Sequence, residues 1–188
     1  MKHALVVFTL VALSGGHSSV RAAEEQVSPP GTFCWKMHYA GVVLGLTKDA
    51  QIVRLLGSGA HRPREGHGSV RYYVDPQRKA SLRIATFTDG IAGEVTLSEG
   101  LPYSLSATER SHTKSQYFSL SEGFGNWHAL NLGSTKQDVL SNLGEPASQE
   151  GADSWVYKAH CTCELLEYLT IQFNSERVVR VVFSAPPA

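Results

Sequence analysis

The sequence predicts an α+β protein made of two tandem repeats, each a helix followed by a three-stranded antiparallel meander, with the helices on one face of a sheet. Three observations predict it. The helix header LGLTKDAQIVRLLG (44–57) returns later in the chain as LGSTKQDVLSNLG (132–144). The runs SVRYYVD (69–75), SLRIATF (81–87) and IAGEVTL (91–97) follow the first header, and SWVYK (154–158), EYLTIQF (167–173) and RVVRVVF (177–183) follow the second. Between the last two runs of each set stand TDG and NSE, hairpin-turn composition flanked by β-branched segments.

The elements follow in order. Residues 1–23 read as a secretory signal peptide: Lys2 and His3, an apolar run from Ala4 to Leu13, then small residues ending Val20-Arg21-Ala22-Ala23. The run falls well short of the ~20 apolar residues that a membrane span needs. Repeat one is assigned to 24–98. Its helix is expected to start at Thr47, to bury Ile52, Val53, Leu55 and Leu56, and to stop at Gly57. Residues 99–126, rich in Ser, Thr and Gly, read as a linker without catalytic signature. Repeat two is assigned to 127–188. Its helix starts at Thr135, carries Val139, Leu140 and Leu143 as an apolar stripe, and stops at Gly144 before Pro146. The first header is one residue longer than the second, an extra residue assigned to its helix. Alternation is clean in 167–173: Leu169, Ile171 and Phe173 share one face, Tyr168, Thr170 and Gln172 the other. A unit of about 55 residues is too small to bury much surface alone. Two meanders side by side would make one sheet whose second face is bare.

Composition limits the function. With 42% hydrophobic and 18% charged residues the chain is globular, and its formal charge is zero. Nucleic-acid binding needs a basic surface to displace counterions, so that class is excluded. Without Lys2 and Arg21 the mature chain has 15 basic residues against 17 acidic ones. It is read as exported, periplasmic or secreted, with no membrane span.

The residues Gly133, Thr135, Leu143, Gly144, Pro146, Trp155, Tyr157, Phe173 and Val179 carry a pattern. The first repeat carries it more weakly through Gly45, Thr47, Gly57, Tyr73 and Phe87, without the proline. This pattern resembles two related groups: the small lipoprotein of the outer-membrane β-barrel assembly machine, and the β-lactamase inhibitor protein, which has two such units in tandem. It covers residues 39–97 and 127–184. The resemblance implies a fold whose members act by binding other proteins, the tandem inhibitor through the open face of its sheet. The chain departs from it in lacking a lipobox, in shorter strands and in its cysteine pattern.

The cysteines are Cys34, Cys161 and Cys163. In an exported protein a disulfide is the default, here Cys34 with one of the other two. Such a bond closes a loop of more than 120 residues, worth about 4 to 5 kcal/mol in the chain-entropy model. A competing reading is a metal or thiol protein using Cys34, Cys161, Cys163 and a histidine. Two thiolates and two imidazoles, from the stretches holding His38 and His160, would suit tetrahedral zinc. Against it, His160 would point away from Cys161 and Cys163 on a strand, and the Cys-x2-Cys spacing usual for zinc is missing. The loop HRPREGHG (61–68) reads as solvated rather than as an anion contact.

Aromatic residues interleave the predicted strands, and those on the bare face would anchor a partner. Tyr168, with Thr170, Gln172 and Arg180, is the first candidate; Tyr73, Trp155 and Tyr157 are further candidates whose face is open. The functional expectation is a non-catalytic, cofactor-free module that binds another protein of the cell envelope through the open sheet face. The alternative is a periplasmic metal or thiol protein.

Overall fold

Period-two burial organises the chain. Leu169, Ile171 and Phe173 are buried while Tyr168, Thr170 and Gln172 between them are half-exposed, so one side of the strand meets a core. The computed structural model describes residues 32–33, 38–64, 68–75, 77–100, 105–112, 130–160 and 166–185. The signal-peptide region and all three cysteines lie outside the described residues.

In chain order the elements are β1 (Thr32–Phe33), β2 (His38–Tyr39), β3 (Val42–Val43), α1 (Asp49–Leu56), β4 (Ala60–Arg64), β5 (Gly68–Asp75), β6 (Ala80–Thr86), β7 (Ala92–Glu99) and α2 (Ala107–His112). There follow α3 (Lys136–Leu143), β8 (Ser148–Gln149), β9 (Ser154–His160), β10 (Leu166–Asn174) and β11 (Arg177–Ser184). One sheet runs β1-β9-β10-β11-β7-β6-β5-β4, with β8 on β9. All its pairings are antiparallel except β1 with β9. The pair β2–β3 forms a separate hairpin.

This corrects the expected fold of two helix-plus-meander repeats. The protein is mostly one continuous antiparallel sheet with a few short helices. β11 pairs along β7, Val181 opposite Leu97 and Phe183 opposite Val95, so the hydrogen-bond ladder does not stop between the halves. The first half supplies four strands to the sheet after α1, because β4 continues it beyond β5. The helices are only 8, 6 and 8 residues long. Helices that short are marginal alone and depend on the sheet beneath them.

What recurs is smaller: the junction tying each long helix to a hairpin. Gly45 N–H donates to Ala92 C=O and Gly133 N–H to Val178 C=O, at 2.9 and 2.8 Å. Asp49 N–H donates to Gly90 C=O, and Lys136 N–H to Glu176 C=O. Each hairpin carries a bulge just after its turn, leaving Gly93 unmatched on β7 and Val179 unmatched on β11. The turn between β10 and β11 holds Ser175 and Glu176 at φ 48° and 66°, the left-handed pair that suits strand twist.

The helix starts differ from one another. Thr135 caps α3, its hydroxyl accepting from Asp138 N–H at 3.1 Å while the Asp138 carboxylate accepts from Thr135 N–H at 2.8 Å. In α1 the cap position is Lys48, not Thr47, whose hydroxyl instead accepts from Val43 N–H at 2.8 Å. Both helices end at a glycine with positive φ, 84° at Gly57 and 69° at Gly144, a conformation that a β-carbon would strain. The core lies between helices and sheet: Ile52, Leu56, Val139 and Leu143 pack with Leu82, Val95, Leu97, Ile171, Val181 and Phe183 in one cluster. Leu55, expected in that stripe, is exposed instead.

Candidate functional site

The sheet face turned from this core is set by register. Across β10, β11 and β7 it carries Tyr168–Ser184–Glu94, Thr170–Val182–Thr96 and Gln172–Arg180–Ser98. Tyr168, Thr170, Gln172, Val182 and Ser184 are half-buried and Arg180 is exposed. The structure thus brings together the four residues that alternation singled out: Tyr168, Thr170 and Gln172 along one strand, with Arg180 directly opposite Gln172.

The face is not bare from edge to edge. At the β4–β5 end Leu105, 2% exposed, packs with Ala60, Val74 and Tyr72. Four residues on, the Glu109 carboxylate of α2 accepts from Arg62 Nε and Nη2 at 2.6 Å each, and the Arg62 guanidinium lies 5.9 Å from the Tyr72 ring centre. The hydrogen bonds from Arg62, then those from the Ser106 backbone N–H and hydroxyl, hold the Glu109 carboxyl down at about 2. In the middle of the sheet, Arg83 of β6 pairs with Glu94, which also accepts from the Thr96 hydroxyl at 2.9 Å. This central charge is internally neutralised. Arg180 has no ion pair among the described residues. Among the described residues no such cover lies on the β10–β11 half, which carries a phenol, hydroxyls, an amide and one guanidinium around Val182.

Tyr73, Trp155 and Tyr157 are corrected. Their register puts them on the helix side, where they are 2%, 7% and 0% exposed, and no partner can reach them. Each phenol closes a helix: Tyr73 OH donates to Gly57 C=O at 2.9 Å and Tyr157 OH to Gly144 C=O at 3.1 Å. Burial pushes the Tyr73 hydroxyl up to about 12 and raises that of Tyr157 further. Trp155 stands edge-on to Phe173, centroids 4.7 Å apart.

The remaining candidates lie elsewhere. Cys34, Cys161 and Cys163 are outside the described residues, and among those described no group of three or more His, Cys, Asp or Glu could hold a metal ion. No helix among the described residues is long and apolar enough to cross a membrane. The start of HRPREGHG is an edge strand, β4, rather than a loop. Sequence reasoning missed Val182 and Ser184, although the same alternation that marked Tyr168 extends through RVVRVVF to find them.

No protein-family model matches the chain, and no curated protein does. Among solved structures it is similar to a DUF4309 family protein, YjgB, from Bacillus subtilis subsp. subtilis str. 168. The TM-score is 0.46 and the identity 15%, over 80% of this chain and 88% of that one. A likeness at that distance carries no argument about activity.

Proposed function

We propose that the chain is an exported, non-catalytic protein-binding module of the cell envelope, docking its partner on the β10–β11 half of the sheet face. One observation carries this reading. Tyr168, Thr170, Gln172 and Arg180 stand in adjacent register on the side away from the core, and the fold uses none of them to cover that core. A tyrosine and an arginine set among small polar groups is the composition of an interface hot spot with its rim. The test is capture from the envelope fraction with the mature protein as bait. Tyr168→Ala with Arg180→Ala abolishes capture while leaving the melting temperature near wild type. Undiminished capture by that double variant removes the site assignment.

A second reading is a periplasmic thiol or metal protein, and the one observation behind it is shared with a plain disulfide. Phe33, the residue before Cys34, pairs with Ala159, two residues before Cys161, in parallel strands. Mass spectrometry of the unreduced mature protein separates the readings: bound zinc promotes the second, and one disulfide without metal removes it.

A further inference from the structure

The two junctions serve as an internal control. α1 and α3 have equal length, end at corresponding glycines and bury corresponding residues, Ile52 with Leu56 and Val139 with Leu143. Counting back from the glycines, Leu55 stands where α3 has Asn142, and Arg54 where α3 has Ser141. The residue by which the first header is longer lies before the helix. Thr47 C=O and Ser134 C=O accept the corresponding bonds from Ala92 and Val178 N–H, which leaves Leu46 as the insertion. The second junction therefore shows that this local fold needs neither an inserted leucine nor Leu and Arg at those helix positions.

Leu46 and Leu55 are nevertheless 56% and 44% exposed, the large apolar side chains that stand most open among the described residues. A Leu55 methyl lies 3.4 Å from where a β-carbon on Gly41 would stand, in the Ala40–Gly41 turn of the β2–β3 hairpin. Between that turn and α1 opens a cleft of about 290 Å³, lined by Gly41, Thr47, Gln51, Arg54 and Leu55, with Leu46 adjacent to Thr47 in the chain.

The charges there are one-sided. Asp49, the sole carboxylate of α1, is taken by Arg71 at 2.6 Å. Lys48 and Arg54 make no ion pair among the described residues. At the start of α3, by contrast, Lys136 Nζ is engaged by Glu176 at 2.7 Å and Asp153 at 3.4 Å. An apolar wall beside an unneutralised guanidinium complements an apolar side chain next to a carboxylate.

We propose that this cleft is a second docking site, separate from the sheet face, that takes an acidic, leucine-like segment of a partner protein. The apolar side chain packs against Leu55 and Leu46, and the neighbouring Asp or Glu of the segment meets Arg54. Because one contact is ionic and near the surface, added salt weakens it.

The probe is a random peptide library displayed on phage, panned on the full mature protein. Recovered peptides are then titrated calorimetrically against wild type, Arg54→Ser and Leu55→Asn, the residues α3 already carries at these positions. The expected result is enrichment of Asp or Glu beside Leu, Ile, Met or Phe, with each substitution weakening binding about tenfold and Arg180→Ala leaving it unchanged. Three results overturn the proposal: no recovered peptide, recovered peptides without acidic residues, or wild-type affinity retained in both variants. Sedimentation supplies a fourth. A wild-type dimer that Leu55→Asn returns to monomer gives the cleft to a second copy of this chain instead.

Discussion

Arg71 of β5 and Asp49 of α1 meet fork to fork, Nε and Nη2 each donating to a carboxylate oxygen at 2.6 Å. The remaining nitrogen, Nη1, donates to Ser58 C=O at 2.6 Å, so one side chain grips α1 at its first turn and just beyond its end. The Arg71 side chain is 10% exposed and replaces the missing length of a two-turn helix with a charged clamp. Asp49→Asn should lower stability at neutral pH by about 1.5–3 kcal/mol, the range for hydrogen bonds to charged groups. The sign with pH follows from the carboxyl, which the Arg71 hydrogen bond lowers against the opposing effect of burial. A depressed carboxyl stabilises above its unfolded value of about 3.9 and loses that contribution as pH falls through the folded value. Urea unfolding should show wild type and variant apart at pH 7 and converging in acid. A gap that persists unchanged into acid contradicts this account of the clamp.

Tyr73→Phe and Tyr157→Phe each remove one phenol from a helix-ending carbonyl. Each is expected to cost about 0.5–1.5 kcal/mol, and the losses should add, because the two sites share no partner. Calorimetry of the single and double variants measures this. Partner capture should not change, since both phenols face the core. A loss of capture at unchanged stability would return them to the interface.

Gly93 sits at the bulge on β7, where an added β-carbon would overlap the Phe87 ring. Gly93→Ala should destabilise by about 1–3 kcal/mol through overpacking. Phe87→Leu in the same chain should recover part of that loss, and a double variant no better than the sum of the singles would place the strain elsewhere.

How much of this was legible in the residues varies with the range of the interaction. The turns at Asp89–Gly90 and Ser175–Glu176, the strand ends within one residue of Phe87 and Phe173, and the helix stops at Gly57 and Gly144 follow from local chemistry, and local patterns carried them. The face assignment of Tyr168, Thr170 and Gln172 followed from alternation alone. Thr47 misled because its hydroxyl had a competing partner, Val43 N–H, once the inserted Leu46 shifted the helix start to Lys48. A single sheet was expected, but the strands that join its halves were not legible, because the pairing of Val181 with Leu97 joins strands far apart in sequence and no local pattern encodes it. β4 was hidden by its polar composition and Pro63, ordinary for an edge strand and indistinguishable from a loop by pattern. Trp155 and Tyr157 needed the register with Ile171 and Leu169 to be placed inside.

The cysteines give a prediction that combines both levels. β1 lies beside β9 with Phe33 opposite Ala159, and Cys34 and Cys161 follow these residues closely in the chain. Unreduced peptide mapping should find Cys34 linked to Cys161 or Cys163. Cys34→Ser should lower the melting temperature of the oxidised protein toward that of the reduced one. Finding Cys34 as a free thiol excludes the bond.

The central claim, that a partner docks on the β10–β11 face, is tested most directly by photocrosslinking from defined positions. A photoreactive amino acid is placed at Thr170, on the proposed face, and separately at Asn142, on the polar outer side of α3. Both proteins are irradiated with the envelope fraction. Docking on the face predicts one discrete adduct from position 170, lost when Arg180→Ala is added, and no corresponding adduct from position 142. Adducts of equal yield from both positions, or from 142 alone, contradict it.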